Sequence, residues 1–313
     1  MSSALYAPGA TIDQAHEDDI WHACWVPGKH RLLTAGSDEV TKLWQLKDSD
    51  YAITSLDVNL QGTRALTSSM DNTIRVWNVG SRKALTDAKP ILTIDAGPIN
   101  AWRSRFVARK SEDANVAELI ASSTDGGTVK LWSLEDGSQL RELNTSRPSF
   151  MYALAVSPDN TKVACAGVGS HVYVFDVESG SLLCTFSGHS DNVRSVSFSA
   201  DSSLLVSASD DKQIQLHDVR HGSPVTTLLG HYGWVLSAEM HPSGAYIASG
   251  SVDTKVKIWD MAQRTCVETH SQHSQAVWSV AWQRSSDDVA TTRPMLASVS
   301  EDCSINLYDP MLA

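Results

Sequence analysis

Along most of the chain apolar residues fall at every second position, in short runs broken by Gly, Ser, Asp and Pro. The stretch Ser249-Gly-Ser-Val-Asp-Thr-Lys-Val-Lys-Ile-Trp-Asp260 shows the unit most fully. Small residues end one strand, an Asp sits in the turn, and alternating Val256 and Ile258 lead to an aromatic. The phrase Ala35-Gly-Ser-Asp-Glu-Val-Thr-Lys-Leu-Trp44 repeats it. A period of two bounded by turn formers predicts β-strands with one buried face.

The phrase recurs. Its anchors are Trp44, Trp77, Trp132, Phe175, His217, Trp259 and Tyr308, spaced by 33, 55, 43, 42, 42 and 49 residues, a period near 42. A second element lies about midway: a His, often preceded by Gly, then a few variable residues and an apolar strand. It reads His16…Ile20, Gly188-His189…Val193, Gly230-His231…Val235 and His273…Val277. Core positions follow three and five residues on, as in Val193, Val196 and Phe198. This period is that of one four-stranded blade. The chain is therefore expected to be all-β, a seven-bladed β-propeller, with 1–313 as a single domain. Leu5–Ile12 is expected to supply the outer strand of blade 7, interlocking the two ends and removing a free sheet edge.

The residue types suit a buried polar relay. A Trp indole N–H bonds a Ser or Thr hydroxyl on the next strand, the hydroxyl meets the His, and the turn Asp holds the imidazole. Each bond contributes about 1 kcal/mol net, but a buried partner left unpaired costs about 1–3 kcal/mol. The expected members are His16, Asp38 and Trp44; Asp71 and Trp77; His189 and Asp211; His231, Asp253 and Trp259; and His273 and Asp302. Gly126 and Gly169 replace the Asp in blades 3 and 4, and blades 2 to 4 lack the His, so these should rely on packing. Sets complete with Trp are expected in blades 1 and 6. His217 and His171 read as strand residues off the relay.

One spacing is short. Lys47-Asp-Ser-Asp-Tyr51 stands where an outer strand and a Gly-His turn belong. Either blade 1 has lost its fourth strand or a stretch is omitted from the sequence, the omission being the expectation. The long spacing before Trp132 is assigned to insertions at Leu85–Pro90 and Ala108–Glu118. The second, with Arg103, Arg105, Arg109 and Lys110 nearby, reads as a solvated loop on the lower face.

Charge and motifs narrow the function. The net charge is −11, with no block of Lys and Arg. Direct nucleic-acid binding and attachment to anionic membranes are not expected. No apolar run suits a signal peptide or a membrane span. The five cysteines are scattered, which fits free thiols in a reducing compartment and no metal site. Ser, His and Asp recur once per blade at fixed offsets, which a single catalytic site would not require. No G-x-S-x-G, P-loop or H-E-x-x-H occurs, so neither a catalytic residue nor a cofactor is expected.

Register locates a binding face instead. Residues flanking the first apolar position of each inner strand, and those just before the turn Asp, ring one mouth of the channel. Among them are Trp21, Asp19, Trp102, Phe150, Tyr152, Arg194, Asp210, Trp234, Trp278 and Glu301. Phe106, at the fifth core position, sets the register that places Trp102. Trp25 and Trp282 fall at core positions and read as packing. Exposed aromatics call for a partner to cover them, and Trp, Tyr and Arg dominate interface hot spots. Trp21, Trp278, Tyr152, Phe150 and Trp234 would seat apolar side chains, and Asp19, Asp210 and Glu301 would meet a partner Arg.

Three phrases carry a more specific likeness: Ile94-Asp-Ala-Gly-Pro-Ile-Asn-Ala-Trp102, Leu229-Gly-His-Tyr-Gly-Trp-Val-Leu236, and Arg264-Thr-Cys-Val-Glu-Thr269 with His273-Ser-Gln-Ala-Val-Trp278. They resemble the WD-repeat subunit of the superkiller (Ski) complex. That resemblance implies a scaffold in exosome-mediated 3′–5′ mRNA decay, clasping a tetratricopeptide subunit beside a helicase. It also implies a place in the Paf1 transcription-elongation complex, hence cytoplasmic and nuclear sites. The shared repeat leaves room for another adaptor, a ubiquitin-ligase substrate receptor or a histone-tail reader.

Overall fold

A computed structural model of the protein describes residues 6–27, 32–42, 46–47, 52–80, 89–98, 100–109, 117–283 and 294–310. They form seven antiparallel sheets, each of four strands. The inner strands begin with Ile20–Trp25 in blade 1 and end with Val277–Trp282 in blade 7. Each inner strand packs on the next around the ring, and that of blade 7 packs on that of blade 1. The molecule is an all-β, seven-bladed propeller.

The buried apolar residues fall into seven clusters, one at each blade junction. Alternation explains this. Each sheet presents one face of side chains to the blade before it and the other to the blade after it, so a blade is stable only between neighbours. Trp25 and Trp282 are buried core residues, as expected. Their indoles also tie blades together. Trp25 Nε1 donates to Ala281 O at 3.0 Å, and Trp282 Nε1 donates to Glu239 O at 3.1 Å.

Tyr6–Ile12 pairs antiparallel with Ile305–Pro310 as the fourth strand of blade 7. Blade 1 does have a fourth strand, Leu46–Lys47, only two residues long, paired with Val40–Lys42. Trp44 and residues 48–51 lie outside the described residues, as do 81–88 and 110–116 of the two insertions.

The relay is built as the residue types require. In blade 6, Trp259 Nε1 donates to Ser249 Oγ at 2.8 Å; His231 Nε2 lies 2.7 Å from that hydroxyl and its Nδ1 2.8 Å from Asp253. His16 joins Asp38 and Thr34 in the same way. In blade 2, Trp77 bonds Thr67, while Asp71 pairs with Arg75 at 2.8 Å in place of a His. Blade 3 keeps a partial relay: Trp132 donates to Ser122 Oγ, which donates to the Asn100 carbonyl where an imidazole would stand. Among the described residues, blade 4 alone is apolar at this point, with buried Phe175 and Cys165; burial pushes the Cys165 thiol up to about 12.

Blade 5 corrects the expectation for His217. Ser207 Oγ lies 2.8 Å from His189 Nε2 and 2.9 Å from His217 Nε2, so His217 is a member of the relay. His189 Nδ1–H donates to the Asp211 carboxylate, so its Nε2 accepts from Ser207, and His217 Nε2–H donates to Ser207 as an indole would. His217 Nδ1 is left buried without a partner. Burial, and then the neighbouring His189, lower the His217 pKa to about 4. In blade 7, Tyr308 takes the anchor role, its hydroxyl 3.1 Å from Ser298 Oγ, which meets His273 and through it Asp302.

Candidate functional site

Backbone pairing brings the site positions together at one mouth of the channel. The carbonyls of Asp19, Phe150, Asn192, Trp234 and Ala276 accept the N–H groups of Ser37, Val168, Asp210, Val252 and Glu301. Strand closeness is extreme beside Phe150. A Cβ at Gly167 would stand 1.9 Å from the Phe150 carbonyl oxygen, so only glycine lets the two backbones meet there. Pairing of Ser104 with Ser122 places Trp102 at the mouth, next to the first core position Ala101.

An arc of aromatic contacts crosses blades 3 to 6. Trp102 meets Phe150 edge-on, with ring centres 5.0 Å apart, and Phe150 lies 5.0 Å from Tyr152. The Arg194 guanidinium sits 4.5 Å over Tyr152 and 5.6 Å from the ring of Trp234. Trp234 is 48% exposed and Tyr232 86% exposed, and Met70, Val168 and Val252 are also exposed at turn positions of this face. A shallow cleft lined by Arg147, Ser149, Val168, Gly169 and His171 adjoins Phe150.

Asp210 does not await a partner Arg. It is buried and already holds Arg194, whose Nε lies 2.8 Å from Oδ1 and Nη2 2.7 Å from Oδ2. Burial works against the Arg194 charge, and the Asp210 carboxylate outweighs it, raising the pKa above its ordinary value. The pair serves as a strut. It fixes a flat cation between two aromatic rings and makes Arg194 part of the platform.

On the opposite side, Trp21 and Trp278 lie with ring centres 6.4 Å apart, and both indole N–H groups are buried without a hydrogen-bond partner. Beside them, burial raises the Asp19 pKa, as do the carboxylates of Asp18 and Glu301, while the nearby Trp21 indole N–H acts the other way without forming a hydrogen bond of ordinary geometry. The mouth therefore combines an aromatic floor, two unspent donors and a carboxylate pair under mutual repulsion. A cationic side chain would relieve that repulsion, and a peptide carbonyl would take an indole N–H.

The insertion expected at Ala108–Glu118 is bounded by the strands Ser104–Arg109 and Ala117–Ser123, and its residues 110–116 lie outside the described residues. Of the basic residues near it, Arg105 lies in the inner strand Ser104–Arg109 and Arg103 immediately precedes it. Arg105 Nη1 donates to Leu56 O of blade 2 at 2.9 Å, and Nη2 lies 3.2 Å from His22 Nε2 of blade 1. Only the central channel brings three inner strands so close. The signal was in the register. Positions two and four after the first core residue point away from the core, and in blade 3 these are Arg103 and Arg105; in blade 1 the first is His22.

Comparison with known proteins agrees with this architecture. The family described as "WD domain, G-beta repeat" matches residues 8–45, 46–78, 180–218, 222–260 and 264–309. The unmatched stretch holds blades 3 and 4, which lack the relay His and Asp. WD repeat-containing protein VIP3 of Arabidopsis thaliana is 32% identical over 214 residues, covering 60% of this chain and 63% of that protein. WD repeat-containing protein SL1-17 of Schistosoma mansoni is 29% identical, covering 63% and 65%. Serine-threonine kinase receptor-associated protein of Gallus gallus is 24% identical, covering 59% and 63%. The chain thus aligns with less than two thirds of the length of these relatives. Its repeats, relay and ring of blades make it a member of the WD-repeat family.

Proposed function

We propose that this protein is a non-catalytic adaptor whose upper face binds a short peptide motif of a partner protein, the motif carrying a cationic and an apolar side chain. The observation that carries this is the half-buried aromatic arc ending in the exposed Trp234, together with the Trp21–Trp278 pair beside Asp19 and Glu301. Trp21, Trp278, Phe150, Tyr152 and Trp234 seat the apolar side chain, and Asp19 and Glu301 take the cation. Asp210 acts through Arg194.

The partner reading follows the resemblance of the Ile94–Trp102, Leu229–Leu236 and Arg264–Trp278 phrases. The partners are the tetratricopeptide scaffold and helicase of the Ski complex in exosome-mediated mRNA decay, with subunits of the Paf1 complex as a second setting. The protein would then act in cytoplasm and nucleus, without touching nucleic acid or membrane directly.

The test is affinity capture of the tagged chain from cell extract, beside the Trp21→Ala, Trp278→Ala double variant. Recovery of a tetratricopeptide protein with a helicase, lost in the variant while its melting temperature is nearly unchanged, is the expected result. Unaltered capture by the variant rejects the face. Recovery of cullin-ligase parts or chromatin alone rejects the complex.

A further inference from the structure

The channel residues Arg103, Arg105 and His22 serve neither the relay nor the upper face, and their arrangement is incomplete. Arg103 Nε is sealed from solvent and has no hydrogen-bond partner, and its guanidinium forms no ion pair among the described residues. Arg105 is held by the carbonyls of Leu56 and Ser104 and by His22 Nε2. Because His22 Nε2 accepts from Arg105, the proton of the neutral ring sits on Nδ1, and that atom too is buried without a partner.

Burial, then Arg103 and Arg105, drive the His22 pKa well below its ordinary value. Burial and then Arg105 push Arg103 down to about 9. Among the described residues no carboxylate forms an ion pair with Arg103 or Arg105. Asp57, on the adjacent inner strand, accepts the Phe106 N–H at 2.8 Å and makes no ion pair with either arginine among the described residues. Two guanidinium groups and two unspent buried donors thus converge in an acidic protein, a combination that is costly unless an acceptor of opposite charge completes it.

We propose that the central channel at blades 1 to 3 binds a small free oxyanion of the carboxylate or phosphate type, held by Arg103 and His22 Nδ1–H, with Arg105 adding its charge. The site is separate from the upper face and stands or falls independently of any partner protein. A planar or tetrahedral oxyanion offers several acceptors and a negative charge together, which water cannot.

The test is thermal unfolding of the full chain in chloride, with the chloride then replaced by inorganic phosphate or by acetate at constant ionic strength. The wild-type melting temperature should rise in a saturable way, by roughly 4 °C or more at a hundredfold excess over the dissociation constant. The better of the two anions identifies the group. Arg103→Met should show no rise and should melt no lower than wild type in chloride, since it removes an uncompensated charge. Equal rises in both proteins, or none in wild type, overturn the proposal. Should Arg103→Met fail to fold, calorimetric titration of phosphate and of acetate into wild type decides: saturable binding supports the site, and its absence for both anions rejects it.

Discussion

Replacing His217 by Trp should flatten the acid dependence of stability. In the folded protein His217 is neutral, with a pKa of about 4 set by burial and then by His189. In the unfolded chain it titrates near 6.5. The folded state therefore binds fewer protons between these values. Its contribution is fully present above about pH 6.5, is lost as pH falls toward 4, and changes no further once both states are charged. At pH 5 the unfolded ring is almost wholly protonated and the folded ring almost wholly neutral, a difference of about 1.5 pKa units or roughly 2 kcal/mol. For a chain of this size that is about 3 °C in melting temperature. Other lowered histidines, such as His22 and His241, act in the same direction in both proteins and cancel in the comparison. Tryptophan restores an indole donor to Ser207, as Trp259 supplies one to Ser249. Urea or thermal unfolding at pH 7 and pH 5 gives the slopes. The variant should lose about 2 kcal/mol less than wild type between the two pH values, whatever its absolute stability. Parallel slopes would show that His217 is protonated in the fold and that the relay assignment is wrong.

Two further changes probe the turns. Asp253→Ala strands His231 Nδ1–H and the N–H groups of Tyr232 and Lys255, and should cost about 3 kcal/mol in urea unfolding. Asp71→Ala, whose partners Arg75 and Thr73 stay nearer to water, should cost about 1 kcal/mol; equal losses would refute the relay account. Thr254 follows the turn Asp with φ of 68°, a β-branched residue in the left-handed region, so Thr254→Gly should stabilise by about 0.5–1 kcal/mol in the same assay. A loss would mean that its side chain compensates the strain.

Strand order, blade number and the strand from Tyr6–Ile12 were legible because repetition reinforces a weak local signal sevenfold. The relay was legible where its members carry their usual names, as in His231, Asp253 and Trp259. It was not legible where chemistry is conserved under a different residue. His217 offers an N–H at the place of an indole, and the Asn100 carbonyl stands in for an imidazole; neither is visible to a reading by residue type. At the mouth, parity along the inner strand found the aromatic positions. It did not show that Asp210 and Arg194 neutralise each other, because that contact lies between two turns whose separation only the folded backbone defines. Arg103 and Arg105 were placed only near the insertion that follows them. Their convergence with His22 was not legible, because it depends on positions two and four beyond Ala101 entering a channel that only the closed ring of blades creates.

The pairing of Tyr6–Ile12 with Ile305–Pro310 also sets an order of events in time. Thr11 Oγ1 reaches Asn306 Oδ1 across 295 residues of sequence. As the chain emerges from the ribosome, blade 1 appears before the other six, yet its neighbour on the closing side cannot exist until blade 7 has been made. The early strand must wait with its ladder groups unmatched while six sheets assemble behind it. Such distant pairing makes the last step of folding slow. The nascent protein accordingly spends its longest vulnerable interval as an open arc, with one sheet edge available to any other strand in the cell, a chaperone included.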